Sequence, residues 1–173
     1  MRAVVELVAE RGTTNVTVSE LAEAADVSRQ LVYQQFGDRD TLLLEAALEL
    51  AERELVPGIA ERSTTGQARV LAMVRHFTQY RSFYRAMLTG PCAYGLNKAL
   101  SGLLSPFNQQ LVRRMYRTAP DEVEDLTAFV TGGWAAVINA WVVEGPEPLD
   151  VETFTDRLMR MLSVLTDDEE HGQ

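Results

Sequence analysis

The stretch from Thr17 to Leu42, TVSELAEAADVSRQLVYQQFGDRDTL, decides the reading of this chain. Thr17-Val18-Ser19-Glu20 has the form T-x-x-E. In that pattern the Thr hydroxyl accepts from the amide three residues on, and the Glu reaches back to the Thr amide. A helix is therefore expected to start at Val18. Leu21, Ala22 and Ala25 make a narrow apolar stripe along it, and the two alanines allow another helix to come close. Asp26-Val27-Ser28 interrupts the run, and Ser28 is a good N-cap for a second helix. On that second helix Val32 and Phe36 are four apart and face inward. Arg29, Gln30, Tyr33 and Gln34 fall on the opposite face. Gly37 suits the positive φ that stops a helix, and Asp38 caps the next.

Two short helices joined by a tight turn make a helix-turn-helix, whose second member lies in the DNA major groove with its N-terminal residues at base edges. In that geometry Arg29 pairs with guanine and Gln30 or Gln34 with adenine. Tyr33 and Arg39 hold phosphates. The competing reading is an ordinary helical hairpin with a solvated polar face.

The segment resembles the TetR family of bacterial transcriptional regulators, whose pattern runs roughly A-x-x-A-G-V-S-x-x-x-[LIV]-Y-x-[HY]-F-x-[SND]-K-[DE]-x-L. Ala22, Ala25, Val27, Ser28, Val32, Tyr33, Phe36, Asp38, Asp40 and Leu42 stand at matching places. VELVAERG, residues 5–12, resembles the end of the family's first helix. The DNA-contacting set expected is Thr17, Ser28, Arg29, Gln30, Leu31, Tyr33, Gln34, Gln35 and Arg39. The chain departs from the pattern at several places. Asp26 replaces a turn glycine, Arg39 a lysine and Gln35 a His or Tyr. Leu31 stands where a small polar residue is usual, and it either meets a thymine methyl or packs on the preceding helix. The family's first helix begins several residues earlier, after a basic arm, so either the chain starts late or its start lies upstream.

Charge argues the other way. The chain has a net charge of −9, and its first 50 residues hold four Arg against nine acids. A nucleic-acid reader ordinarily shows a basic face. Local placement, not the total, sets the field at the groove.

The rest reads as helices. Apolar positions at 42, 43, 46, 47 and 50 give a long helix to about Val56, disturbed by Pro57-Gly58. Further stripes follow over 70–78, 81–88 and 93–104. Pro106 either starts a new helix or kinks a long one continuing to about Arg117. Two last helices run from Pro120 to Glu144 and from Asp150 to Leu165, the first apolar on more than one face. No stretch after residue 38 alternates like a strand for long. The fold expected is all-α, about nine helices. A three-helix helix-turn-helix head over 1–45 joins a helical ligand-binding and dimerisation body over 46–173.

The tail, Phe129…Gly132-Gly133…Trp141…Gly145…Pro148 followed by one helix, resembles the family's C-terminal body. The resemblance implies a homodimer through the last two helices, so that two heads read a palindromic operator. The interface residues expected are Gly132, Gly133, Val137, Trp141, Phe154, Leu158, Met161 and Leu162. It also implies a small-molecule effector, apolar or aromatic by the large residues of the middle helices: Phe77, Tyr80, Tyr84, Met87, Tyr94, Phe107, Met115, Phe129 and Trp134. Asn108, Gln109, Asn139 and His76 are polar candidates beside them.

No metal-ligand spacing, P-loop, G-x-S-x-G or G-x-G-x-x-G occurs, and the histidines are His76 and His171. Enzyme chemistry, cofactors and metals are not expected. One cysteine, Cys92, suits a reducing cytoplasm. No signal peptide is visible, and the most apolar stretch, Ala128 to Val143, is 16 residues. That is short of the roughly 20 that span a bilayer, so no membrane partner is expected. The rival function is a helical homodimer that binds ligand or protein but no longer DNA, which the acidic head favours.

Overall fold

The computed structural model describes residues 1–61, 65–115 and 122–166, with side chains described for all of these except 114, 115 and 164–166. Ten α-helices and no strand occur among them: α1 Arg2–Arg11, α2 Val18–Ala24, α3 Arg29–Phe36, α4 Arg39–Glu54 and α5 Val56–Ala60, then α6 Gly66–Gln79, α7 Arg81–Leu88, α8 Ala93–Met115, α9 Glu122–Glu144 and α10 Val151–Thr166.

The caps form where their residue types require. Thr17 accepts from the Glu20 amide at 3.2 Å while the Thr17 amide donates to the Glu20 carboxylate at 2.8 Å. Ser28 accepts from the Leu31 amide at 3.1 Å, and Asp38 from the Thr41 amide at 2.8 Å. These backbone donors hold the Glu20 and Asp38 carboxyls below their ordinary range. Asp26 has φ 52° and Gly37 φ 75°, so the turn and the stop both use the left-handed half of φ space.

The expected helix boundaries differ at two prolines. The helix expected to reach Val56 ends at Glu54, and Pro57 sits in the first turn of the separate α5, where a missing N–H costs nothing. Pro106 does not begin a helix: α8 runs through it as one helix of 23 residues. Both Pro106 and Gly102, whose carbonyl loses its i+4 donor, are exposed.

One continuous apolar core runs from Val4 to Leu158 and joins head and body. The division expected after residue 45 falls inside α4. Leu42, Leu43 and Ala46 before and at it, and Ala47, Leu50 and Ala51 beyond it, are all buried. The head docks through small residues on the body. A Cβ at Gly90 would stand 2.3 Å from the Thr14 hydroxyl and 3.0 Å from the Ala86 carbonyl, and one at Gly95 would stand 2.9 Å from Leu44.

Two polar groups organise the body. The Arg81 guanidinium, 12% exposed, donates to the carbonyls of Val142 at 3.0 Å, Gly145 at 2.6 Å and Pro146 at 3.1 Å, and pairs with Glu147. It thereby ties α7 to the C-terminal end of α9 and satisfies carbonyls that a helix end leaves without intrahelical donors. His76 is buried among Phe77, Tyr80 and Tyr84 and shares a 2.8 Å hydrogen bond with the Tyr84 hydroxyl. Burial holds its imidazole down at about 4, against an ordinary 6.5.

Arg81→Ala is expected to destabilise the chain by roughly 2–4 kcal/mol, because it strands several acceptors. Urea unfolding checks this, with Arg81→Lys intermediate. The unfolded chain protonates His76 near pH 6.5 and the folded chain near 4. Stability is therefore complete above pH 6.5 and falls as pH drops toward 4, by up to about 3 kcal/mol from this residue. Capped carboxylates such as Glu20 and Asp38 add losses of the same sign at lower pH. Unfolding of His76→Gln across pH 4–7 isolates the histidine share: the variant's curve is expected to be flatter.

Candidate nucleic-acid interface

α3 carries the expected reading face. Its inner side is anchored by Val32, which is buried, and Phe36, half-buried against the core. Ser28, Arg29, Gln30, Tyr33 and Gln34 surround one open concavity on the opposite side. Tyr33 is 54% exposed. A shallow groove of arginine, glutamines and a tyrosine matches what base edges and phosphates accept.

The remaining members of the expected set lie elsewhere. Thr17 and Arg39 border a neighbouring concavity with Asn15 and Asp40, where the starts of α2 and α4 meet. Asn15 is not in the expected set; its place beside the capping Thr17 is the signal that points to it. Leu31 and Gln35 line a different cleft, with Val27, Glu45 and Glu49 between α3 and α4. Of the two readings of Leu31, packing near the preceding helix is the one this placement favours: the cleft also contains Leu21 and Ala25.

The head's cations are mostly engaged. Arg2 pairs with Glu6 at 2.7 Å, Arg11 with Glu20 at 3.3 Å and Arg39 with Asp40 at 2.8 Å. Arg29 has no ion pair among the described residues, which leaves its guanidinium available on the outward face of α3.

The body holds a cavity of about 160 Å³ between α6, α8 and α9. Phe77, Phe107 and Trp134 line it, as do Asn108 and Asn139. Asn139 donates to Asn97 at 2.6 Å and Asn108 to Thr131 at 2.9 Å, so these amides also bridge α8 to α9. Other ligand candidates do not reach it. Tyr84 and Met87 are fully buried in the core, Tyr80 packs on His76, and Gln109 is half-buried away from the wall. Tyr94 and Phe129 are 80% and 73% exposed. The side chain of Met115 lies outside the described residues. Arg69 and Asn97, absent from the expected set, are in the wall. A charge on an amphipathic helix reads as solvated, so nothing in the pattern marks Arg69.

The expected interface residues also separate. Nothing within 4 Å would meet a Cβ at Gly132 or Gly133, both exposed on α9, and Val137 is half-buried. Met161 is exposed. Trp141 instead stacks on Phe154 inside the protomer, at 4.0 Å between ring centroids, and Leu158 is buried beside them. Leu162 lines the cavity. Helical period identifies an apolar position without telling whether its neighbour is in the same chain, and these four are satisfied internally.

Comparison with known proteins places this geometry. Residues 1–53 match the family model described as bacterial regulatory proteins, tetR family. A curated relative from Mycobacterium tuberculosis (strain ATCC 25618 / H37Rv), the HTH-type transcriptional regulator AlkX, is 33% identical over 108 residues, 62% of this chain. The match covers 48% of that relative, so the chain spans about half the length of the curated protein it matches. Among solved structures, the TetR family repressor AlkX from Dietzia sp. strain DQ12-45-1b, implicated in biodegradation of n-alkanes, superposes with a TM-score of 0.62. It is 22% identical, with 96% of this chain and 97% of that one covered. The TetR family transcriptional regulator PfmR from Thermus thermophilus superposes with a TM-score of 0.54 at 18% identity, covering 91% and 93%. Residues 1–53 thus match the tetR-family model in sequence, and the chain as a whole shares the fold of these solved regulators.

Proposed function

We propose that the chain is a DNA-binding transcriptional regulator, a ligand-responsive repressor that binds a palindromic operator as a homodimer. The observation that carries the reading is the shared concavity of Arg29, Gln30, Tyr33 and Gln34 on a capped, core-anchored helix, with Arg29 unpaired. A relative named as a transcriptional regulator and a structural neighbour named as a repressor support it.

The dimer reading rests on α9. Its length and composition are those of a membrane-crossing helix, and 22% of its most apolar window is buried. Its contacts with α8 and α7 tie it into the bundle. Phe129, Gly133, Ala136 and Ala140 are exposed at helical spacing and make an apolar stripe. A second copy covers that stripe on the two-fold axis and sets the heads about one DNA turn, roughly 34–36 Å, apart. The cavity takes the effector, and a small apolar or aromatic body suits its wall. Effector shifts the balance between head spacings only through unequal affinity for the two arrangements. The lever is α4, pressed between head and body.

Selection from random duplex DNA is expected to yield a two-fold symmetric site. Arg29→Ala should weaken it by about 1–3 kcal/mol and relax preference at one base pair per half-site. Because three of the head's four arginines are paired, log K against log salt should be shallow; a slope near about −10 per dimer contradicts this. Failure to select any sequence favours the rival, a ligand-binding dimer without DNA. Sedimentation is expected to show a dimer for the parent chain and a monomer for Ala136→Glu, which should also lose the operator.

A further inference from the structure

α3 carries a second surface besides its outward polar one. Leu31 and Gln35 turn away from Arg29, Gln30, Tyr33 and Gln34 and line the cleft between α3 and α4. The floor of that cleft is apolar. Met1, Val27, Leu31, Phe36 and Leu48 line it, and Val27 and Leu31 are 39% and 38% exposed. Apolar side chains gathered at the surface and rimmed by charge mark a place that a partner covers.

One wall of the cleft is acidic. Glu45, Leu48, Glu49 and Glu52 stand at i, i+3, i+4 and i+7 on α4, so one side of that helix brings three carboxylates to the cleft over two turns, about 10 Å. All three glutamates are exposed. Glu49 pairs with Arg53 at 3.2 Å, whereas Glu45 and Glu52 are in no ion pair among the described residues. No Lys or Arg is among the described lining residues. An apolar floor beside a wall that repeats with the helical period fits a helix, whose side chains at i, i+3, i+4 and i+7 enter the floor. The wall also fixes the sign of the occupant. A neutral or acidic flank would desolvate the carboxylates without pairing them, and a basic flank pairs them.

We propose that this cleft docks a basic amphipathic helix of another protein. The apolar side of that helix lies on Val27, Leu31 and Leu48, and its Lys or Arg residues, at helical spacing, run along Glu45, Glu49 and Glu52. The cleft shares no residue with the α9 stripe proposed to meet a second copy, so a dimer formed there leaves it open. Leu31 and Gln35 each adjoin in sequence a residue of the outward polar side of α3, and a helix docked on them lies beside that side.

Two synthetic peptides test this on the full chain. The first is a fluorescently labelled helix with Leu at i, i+3, i+4 and i+7 and Lys along one flank. The second has the same composition in an order that no longer segregates Leu from Lys. Fluorescence anisotropy is expected to show the first binding ten-fold or more tighter than the second. Glu45→Gln/Glu52→Gln is expected to weaken the first peptide five-fold or more. Glu122→Gln/Glu124→Gln removes the same charge from exposed positions at the start of α9, and it is expected to leave that peptide's affinity unchanged. Equal binding of the two peptides, or equal losses from the two double variants, reduces the effect to the net charge of the chain and overturns the proposal. A change in oligomeric state of Glu45→Gln/Glu52→Gln without peptide, read by sedimentation, gives the cleft to a second copy and also overturns it. Glutamine is a good helix former, and the comparison of peptides on the parent chain stands even if a variant fails to fold.

Discussion

The head of this protein has no core of its own to retreat into. Val4, Val5 and Val8 of α1 and Leu43, Ala46 and Ala47 of α4 are buried in the same apolar mass as Phe83, Met87 and Leu96 of the body. Where the side chains of Thr14 and Leu44 lie over Gly90 and Gly95, there is no room for a methyl group without displacement. Interiors packed to this density do not deform smoothly; they hold one arrangement or change to another. A helix-turn-helix that is fastened this way moves with the body or not at all. The proposed regulation by a ligand in the body then becomes a matter of which packing the ligand prefers.

That constraint orders the other features. Arg81 fixes the end of α9 to α7, and α7 is the element on which α1 rests. α8 belongs to both ends: its first turns meet α4, and its middle forms one wall of the cavity. A molecule that spreads α8 from α9 acts on the helix that the head leans against. The exposed stripe of α9 lies outside this chain of contacts, on the face proposed to meet a second protomer.

The head was legible in the sequence because its signals are local. A capping box, a serine cap, an aspartate cap and two inward positions four apart each act within a few residues, and all agree. The outward polar side of α3 followed from the same period. The body was legible as helices but not as a site. Trp141, Phe154 and Leu158 carry the same apolar period as an interface, yet they meet one another inside the protomer. Tyr94 and Phe129 look like pocket aromatics and are exposed. Arg69 looks like a solvated charge and lines the cavity. Each of these depends on which distant helix arrives opposite, and the period of a single helix carries no information about that. Prolines gave the same lesson at smaller scale: Pro106 is tolerated because it and Gly102 lie on an exposed side, a tertiary fact.

The central claim is that the outward face of α3 meets DNA while the outward face of α9 meets a second copy. Photo-crosslinking from benzoylphenylalanine placed at position 33 or at position 129, on the full chain with its selected duplex, tests both faces at once. The account predicts a protein–DNA adduct from position 33 and a protein–protein adduct from position 129. An adduct to DNA from 129 with none from 33 contradicts it.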